Sequence, residues 1–109
     1  MNKLPTVARA LAGLAVAIGV TASAQASEAI IKKARCVACH AIDQKRVGPA
    51  YKDVAAKYRN NPAIEAHLID KVRNGGSGVW GDIPMPPNGP DKISDDDLKA
   101  AVHWILSLP

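Results

Sequence analysis

Cys36-Val37-Ala38-Cys39-His40 puts two thiols and an imidazole within five residues, and these are the only two cysteines of the chain. Side chains at i, i+3 and i+4 of a helical turn project from one side, so both sulfurs and the ring can face one planar ligand. C-x-x-C-H is the spacing that attaches a c-type haem: the sulfurs form thioethers with the vinyl groups and the imidazole ligates iron. Three other chemistries use the same residue types. A Cys36–Cys39 disulfide would close a loop so small that it restrains little of the unfolded chain. A thioredoxin-like dithiol belongs beside a βαβ pattern, which this sequence lacks. A zinc site would need two of His40, His67 and His103, and adjacent Cys39 and His40 do not have the usual ligand spacing. Haem attachment is the reading preferred, with thiol redox chemistry as its main competitor.

If His40 occupies one side of an iron, the opposite side decides the function. An open position allows substrate or gas chemistry, whereas a filled one favours electron transfer. Beyond the initiator the chain has one methionine, Met85, set in Ile83-Pro84-Met85-Pro86-Pro87. Prolines fix the backbone on both sides and can hold a thioether in place without a helix or strand beneath it. Methionine is more often a pliable core filler, but a lone one in a proline-stiffened loop is poorly placed for packing. A soft sulfur ligand would favour ferrous iron and raise the potential. His67 and His103 are alternative ligands, yet both fall on expected helices as ordinary surface residues.

The elements that must carry these groups can be read in order. Lys3 and Arg9 precede an apolar run from Ala10 to about Val20, and Ala22-Ser23-Ala24-Gln25-Ala26 follows. This is the layout of a secretory signal peptide, residues 1–26, cleaved after Ala26. The apolar run falls short of the roughly 20 residues that a membrane span needs. A helix is expected from Ser27 to about Cys39, with Ile30, Ile31 and Ala34 at helical spacing. Gly48-Pro49 interrupts the chain, and Tyr51 to Tyr58 allows a second short helix. Asn60-Asn61-Pro62 is a helix start, with Ile64, Leu68 and Val72 recurring on one face and Gly75-Gly76 as the stop. Residues 75–93 hold five of the eight glycines and four prolines, so regular structure is not expected there. Ser94 caps a last helix whose stripe is Leu98, Ala101, Val102 and Ile105, with Asp95, Asp96 and Asp97 at its positive dipole end.

The expectation is therefore an all-α domain over residues 27–109. Removal of 26 of the 109 residues leaves 83, a size at which side chains alone make a marginal core. With no Phe and 4% aromatic content, an internal cofactor is the natural filler. Without Lys3 and Arg9, the 14 basic residues fall to 12 against 10 acidic ones. That net charge of +2 is too mild for nucleic acid. Its distribution is uneven: Lys32 to Arg59 concentrates the positive charge and Asp91 to Asp97 the negative, which gives a charge dipole.

Three segments, Cys36-Val-Ala-Cys-His-Ala-Ile-Asp43, Val47-Gly-Pro-Ala-Tyr51 and Gly78-Val-Trp-Gly-Asp-Ile-Pro-Met-Pro-Pro87, resemble the short bacterial class I c-type cytochromes. The likeness runs from about Glu28 to Leu108 and is nearest to the periplasmic cytochrome c-551 type of denitrifying and respiring bacteria. It implies the class I fold, three to four short helices wrapped around one haem c, with His40 and Met85 as axial ligands. It implies that the Pro49 carbonyl orients His40, in line with the need to fix the tautomer of a ligating histidine. It also implies that the Trp80 indole meets a haem propionate, although an ordinary core role stays open, whereas Trp104 packs against the first helix. Lys71 stands where relatives often carry a propionate-binding arginine, and lysine cannot make the same bidentate contact. Ile31 replaces an aromatic residue.

The function implied is that of a monomeric one-electron carrier, not an enzyme, in the periplasm. It would shuttle electrons from a quinol-oxidising cytochrome complex to a nitrite reductase, oxidase or peroxidase. The exit lies at the haem edge near Val37, Ala38, Pro49 and Pro84, ringed by lysine and arginine that steer an acidic partner. The competing readings are a haem enzyme or gas binder with an open sixth position, and an exported dithiol oxidoreductase.

Overall fold

The computed structural model describes residues 19–109 together with Gly13, with side chains from Ala26 onward, so most of the expected signal peptide, residues 1–26, lies outside the described residues. Among the described residues there are four helices, α1 (Gly19–Lys33), α2 (Tyr51–Lys57), α3 (Ile64–Asn74) and α4 (Asp95–Leu106), and an exposed small hairpin of β1 (Gly76–Gly78) and β2 (Gly81–Met85) between α3 and α4. A single 3₁₀ turn, Cys36–Ala38, follows α1.

α4 is the organising element, because it packs on α1, α2 and α3. Its stripe feeds two clusters. Leu98 and Val102 bury against Ala34 and Ile93, while Ala101 joins Ile31 and Tyr51, with Trp104 and Ile105 at the margin. Trp104 thus packs on the cluster that contains Ile31 of α1, as expected. Ser94 caps α4: its hydroxyl accepts from the Asp97 N–H at 3.2 Å. Three aspartates fill the first turn, where the helix dipole favours negative charge.

α3 is built differently. Ile64, Leu68 and Val72 recur at helical spacing, yet no residue of α3 is buried. Leu68 and Val72 pack against the cluster of Ala34, Ile93, Leu98 and Val102 and also line a cleft, so the apolar face of α3 is only partly covered by the protein's own side chains.

The structure departs from the sequence expectations in three places. The first helix stops at Lys33 rather than reaching Cys39, because Arg35 adopts a left-handed backbone conformation, φ 64°, and the chain re-enters as a 3₁₀ turn. α3 starts at Ile64, two residues past Pro62, and Asn60 is also left-handed, φ 65°, instead of capping. The glycine- and proline-rich stretch, where no regular structure is expected, contains the antiparallel pair Gly76↔Met85 and Gly78↔Gly81, a small addition to a fold that is otherwise helical as expected. Positive φ at Gly76, Gly78 and Gly81 lets the hairpin turn without the alternating apolar residues that usually announce one.

Candidate functional site

The 3₁₀ turn delivers the cysteines and the histidine together. The Cys39 and His40 N–H groups both donate to the Cys36 carbonyl, at 3.1 and 3.0 Å, which folds positions i, i+3 and i+4 onto one turn. Beyond it, Gly48 N–H donates to Cys39 O at 2.8 Å and Tyr51 N–H to Ala41 O at 2.9 Å, which folds residues 41–50 back across the imidazole.

His40 is held from three sides. Its Nδ1 lies 2.8 Å from the Pro49 carbonyl oxygen, and an oxygen can only accept, so Nδ1 carries the proton and Nε2 is left as a lone-pair donor. Tyr51, buried at the start of α2, stacks on the ring with centroids 5.0 Å apart and planes 17° from parallel. Gly48 closes the third side, since a Cβ there would run into the imidazole. Pro49 therefore sits where the sequence places it, whereas Tyr51 and Gly48 contribute more than the sequence alone indicates.

Both thiols are free. Burial pushes the Cys36 thiol above its ordinary pKa, a rise only partly offset by a hydrogen bond with Tyr51, and burial likewise drives the Tyr51 phenol upward. A dithiol oxidoreductase needs the opposite, a thiol pushed down toward the thiolate. Among the described residues no three His, Cys, Asp or Glu side chains gather as a metal site.

Cys36, Cys39, His40, Lys71, Trp80 and Met85 all line one cleft that is open to solvent. Its walls are apolar, and Val47, Val79 and Ile83 in it are more than half exposed, at 52%, 55% and 67%. An apolar cleft lined by two thiols, an imidazole and a thioether fits a planar tetrapyrrole with iron at its centre. His67 also borders the cleft, while exposed His103 lies 3.6 Å from Glu65 as a surface pair.

Met85 ends β2, and its backbone crosses the C-terminus of α3. Gly75, φ 72°, lies so close beneath that a Cβ would strike the Met85 carbonyl. Lys71 places its ammonium against Gly76, at the root of the hairpin. Trp80 is 40% exposed at the hairpin tip, with the Lys57 ammonium 5.5 Å from its ring centroid. Arg73 and Asn88, which the sequence does not single out, tie the chain after Met85 to α3. Arg73 donates to Asn88 O, Ile93 O and Asp95 Oδ1. Asn88 N–H donates to Val72 O at 3.0 Å, and its side-chain amide donates to Val72 O and Pro86 O. The Asn88-Gly89-Pro90 turn signal is visible in the sequence; its attachment to α3 is not.

The cytochrome c family model matches residues 24–109 of the chain. The chain belongs to the cytochrome c family. This cytochrome is 52% identical over 84 residues to cytochrome c-551 of Pseudomonas aeruginosa, covering 77% of this chain and 78% of that protein. It is 49% identical over 94 residues to cytochrome c-552 of Nitrosomonas europaea, covering 86% and 89% respectively. The crystal structure of wild-type Nitrosomonas europaea cytochrome c552 superimposes with a TM-score of 0.70 over 75% of this chain and 99% of that one. The fold is accordingly that of the class I cytochromes, the cofactor is haem c, and the protein is a small electron carrier, not an enzyme.

Proposed function

We propose that this cytochrome is a periplasmic one-electron shuttle whose haem is joined to Cys36 and Cys39 through thioethers and whose iron is bound by His40 and Met85. The observation that carries this reading is the gathering of all four side chains on one apolar cleft, with His40 Nδ1 committed to Pro49 at 2.8 Å and Nε2 therefore free to ligate. Haem supplies the one-electron couple between iron(II) and iron(III). The protein's part is to keep the same two ligands in both states, so that little rearrangement accompanies each electron, and to exclude water from the metal. Trp80 and Lys71, at the hairpin and its root, are the residues assigned to the propionates.

The exit proposed for the electron is the haem edge near Val37, Ala38, Pro49 and Pro84; Val37 and Val47 are exposed, and Lys45 and Arg46 directly precede Val47 in the chain. A small apolar contact framed by positive charge suits brief encounters with acidic redox partners. The donor and acceptor classes proposed are a quinol-oxidising cytochrome complex and a terminal reductase, oxidase or peroxidase. Electron-transfer rates with such a partner should fall as salt rises; a flat or rising dependence contradicts the basic docking surface.

Export rests on the signal-like segment up to Ala26. Among the described residues no helix is long and apolar enough to cross a membrane. The test is expression alongside a cytochrome maturation system, followed by haem-stained denaturing electrophoresis, mass measurement and a ferric spectrum. The expected result is a chain starting at Ser27, a mass raised by one haem and low-spin iron with a sulfur-to-iron band. Colourless protein, or high-spin iron that binds carbon monoxide rapidly when reduced, refutes the reading.

A further inference from the structure

The segment that follows Met85 fastens itself to α3 only at Asn88, whose N–H and side-chain amide donate to Val72 O. Pro86, Pro87 and Pro90 each lack a backbone N–H, so this stretch offers more carbonyl acceptors than donors. Beyond Asn88, which meets the end of α3, the chain still has to cross to Ser94 before α4 begins. A donor-only partner is what such a segment requires, and the guanidinium, with five N–H groups in a fixed fork, is the side chain best suited to it.

Arg73, in the last turn of α3, fills that role. Its Nη1 donates to Asn88 O at 3.1 Å and to Ile93 O at 2.7 Å, and its Nη2 donates to Asp95 Oδ1 at 2.6 Å. The side chain is 16% exposed, so the two carbonyl bonds form largely out of water, whereas Asp95 is 92% exposed and its ion pair counts for little. One cation thereby bridges α3, the proline-rich segment and the first turn of α4.

We infer that Arg73 is the positioning residue that keeps the Met85 sulfur on iron, by fastening residues 88–95 to the end of α3. The inference rests on the ligation reading above, and its logic is a population argument. An added ligand reaches the iron only while Met85 is away, so its apparent affinity is scaled down by the time the sulfur spends bound. Weakening the fastening raises that affinity without requiring the rest of the protein to unfold.

The test is an imidazole titration of the ferric holoprotein, following loss of the sulfur-to-iron band, on wild type, Arg73→Lys, Arg73→Gln, Asp95→Asn and Leu106→Ala. A hydrogen bond from a charged donor is worth about tenfold in an equilibrium, so Arg73→Gln should bind imidazole at least about tenfold tighter than wild type. Arg73→Lys should fall between them, because a point-like ammonium cannot span both carbonyls. Asp95→Asn should gain no more than about fivefold. Leu106 does not itself line the cleft, and packs behind it on the cluster of Ala34, Ile93, Leu98 and Val102. Its truncation should lower the denaturant midpoint and leave imidazole affinity at the wild-type value.

Unchanged affinity in Arg73→Gln overturns the inference. So does a rise in Leu106→Ala that matches its loss of stability, since Arg73 would then act only through global folding. Should Arg73→Gln fail to fold, equal affinities in wild type, Asp95→Asn and Arg73→Lys overturn it as well. A wild-type protein with no sulfur-to-iron band overturns the ligation reading itself, whereas a normal band with unmoved variants removes Arg73 alone.

Discussion

The two walls of the cleft are held by different means. On the histidine wall, a 3₁₀ turn, the Pro49 carbonyl, a buried stacked tyrosine and a glycine surround one imidazole, and the α1–α4 core lies behind them. On the methionine wall, an exposed hairpin with no buried residue hangs from the end of α3 through Gly75, Asn88 and Arg73. One proposed ligand is set by packing and the other by a few directional bonds. Packed walls open only with the whole fold, whereas sparsely bonded ones open locally at lower free energy. The histidine should therefore be the permanent ligand and the methionine the one lost first under stress.

The largest effect should come from removing the bridge between the walls. In Cys36→Ala/Cys39→Ala, covalent haem should be absent from a denaturing gel, and the chain should lose its sharp thermal transition in circular dichroism, because α3 has no interior of its own. A cooperative, fully helical colourless variant would dissolve the distinction between the walls. Next, Tyr51→Ala should cost about 3–5 kcal/mol by analogy with other large aromatic truncations, measured by denaturant unfolding. It should lower the global midpoint while the sulfur-to-iron band survives until the transition begins.

Gly75→Ala attacks the other wall. Its backbone, φ 72° and ψ −170°, is a region open essentially to glycine alone, so strain of about 1–3 kcal/mol adds to the collision with Met85. The band should weaken well below the unfolding temperature; loss of band and helix together would count against separate control of the two ligands. The smallest effect is Ser94→Ala, about 1 kcal/mol from the lost α4 cap. It should appear as a modest fall in Tm with an unaltered spectrum.

The same division governs what could be read from the sequence. Cys36, Cys39 and His40 announce themselves because their geometry is local, and Gly48-Pro49 and Ser94 are local signals too. Met85 is legible because its flanking prolines make a packing role implausible. The stacking of Tyr51 on His40 depends on how residues 41–50 fold back, and no periodicity encodes that. Arg73 meets partners 15, 20 and 22 residues away, and its spacing in α3 marks it only as a cation near a helix end. The hairpin was hidden because glycine and proline supply its turn geometry while its exposed strands carry no alternation to detect. The early stop of α1 at Lys33 has no sequence signal either, since Arg35 is neither glycine nor asparagine.

The unburied face of α3 bears on the life of the protein before it is complete. In a copy that has not received its iron porphyrin, Leu68 and Val72 keep only their packing on the cluster of Ala34, Ile93, Leu98 and Val102, and the part of that face which lines the cleft has no cover. Segments of this kind open readily, and degradation follows the population of open chain. Unloaded copies are thus marked for removal by their own incompleteness, and survival in a protease-rich compartment becomes a record of having been loaded.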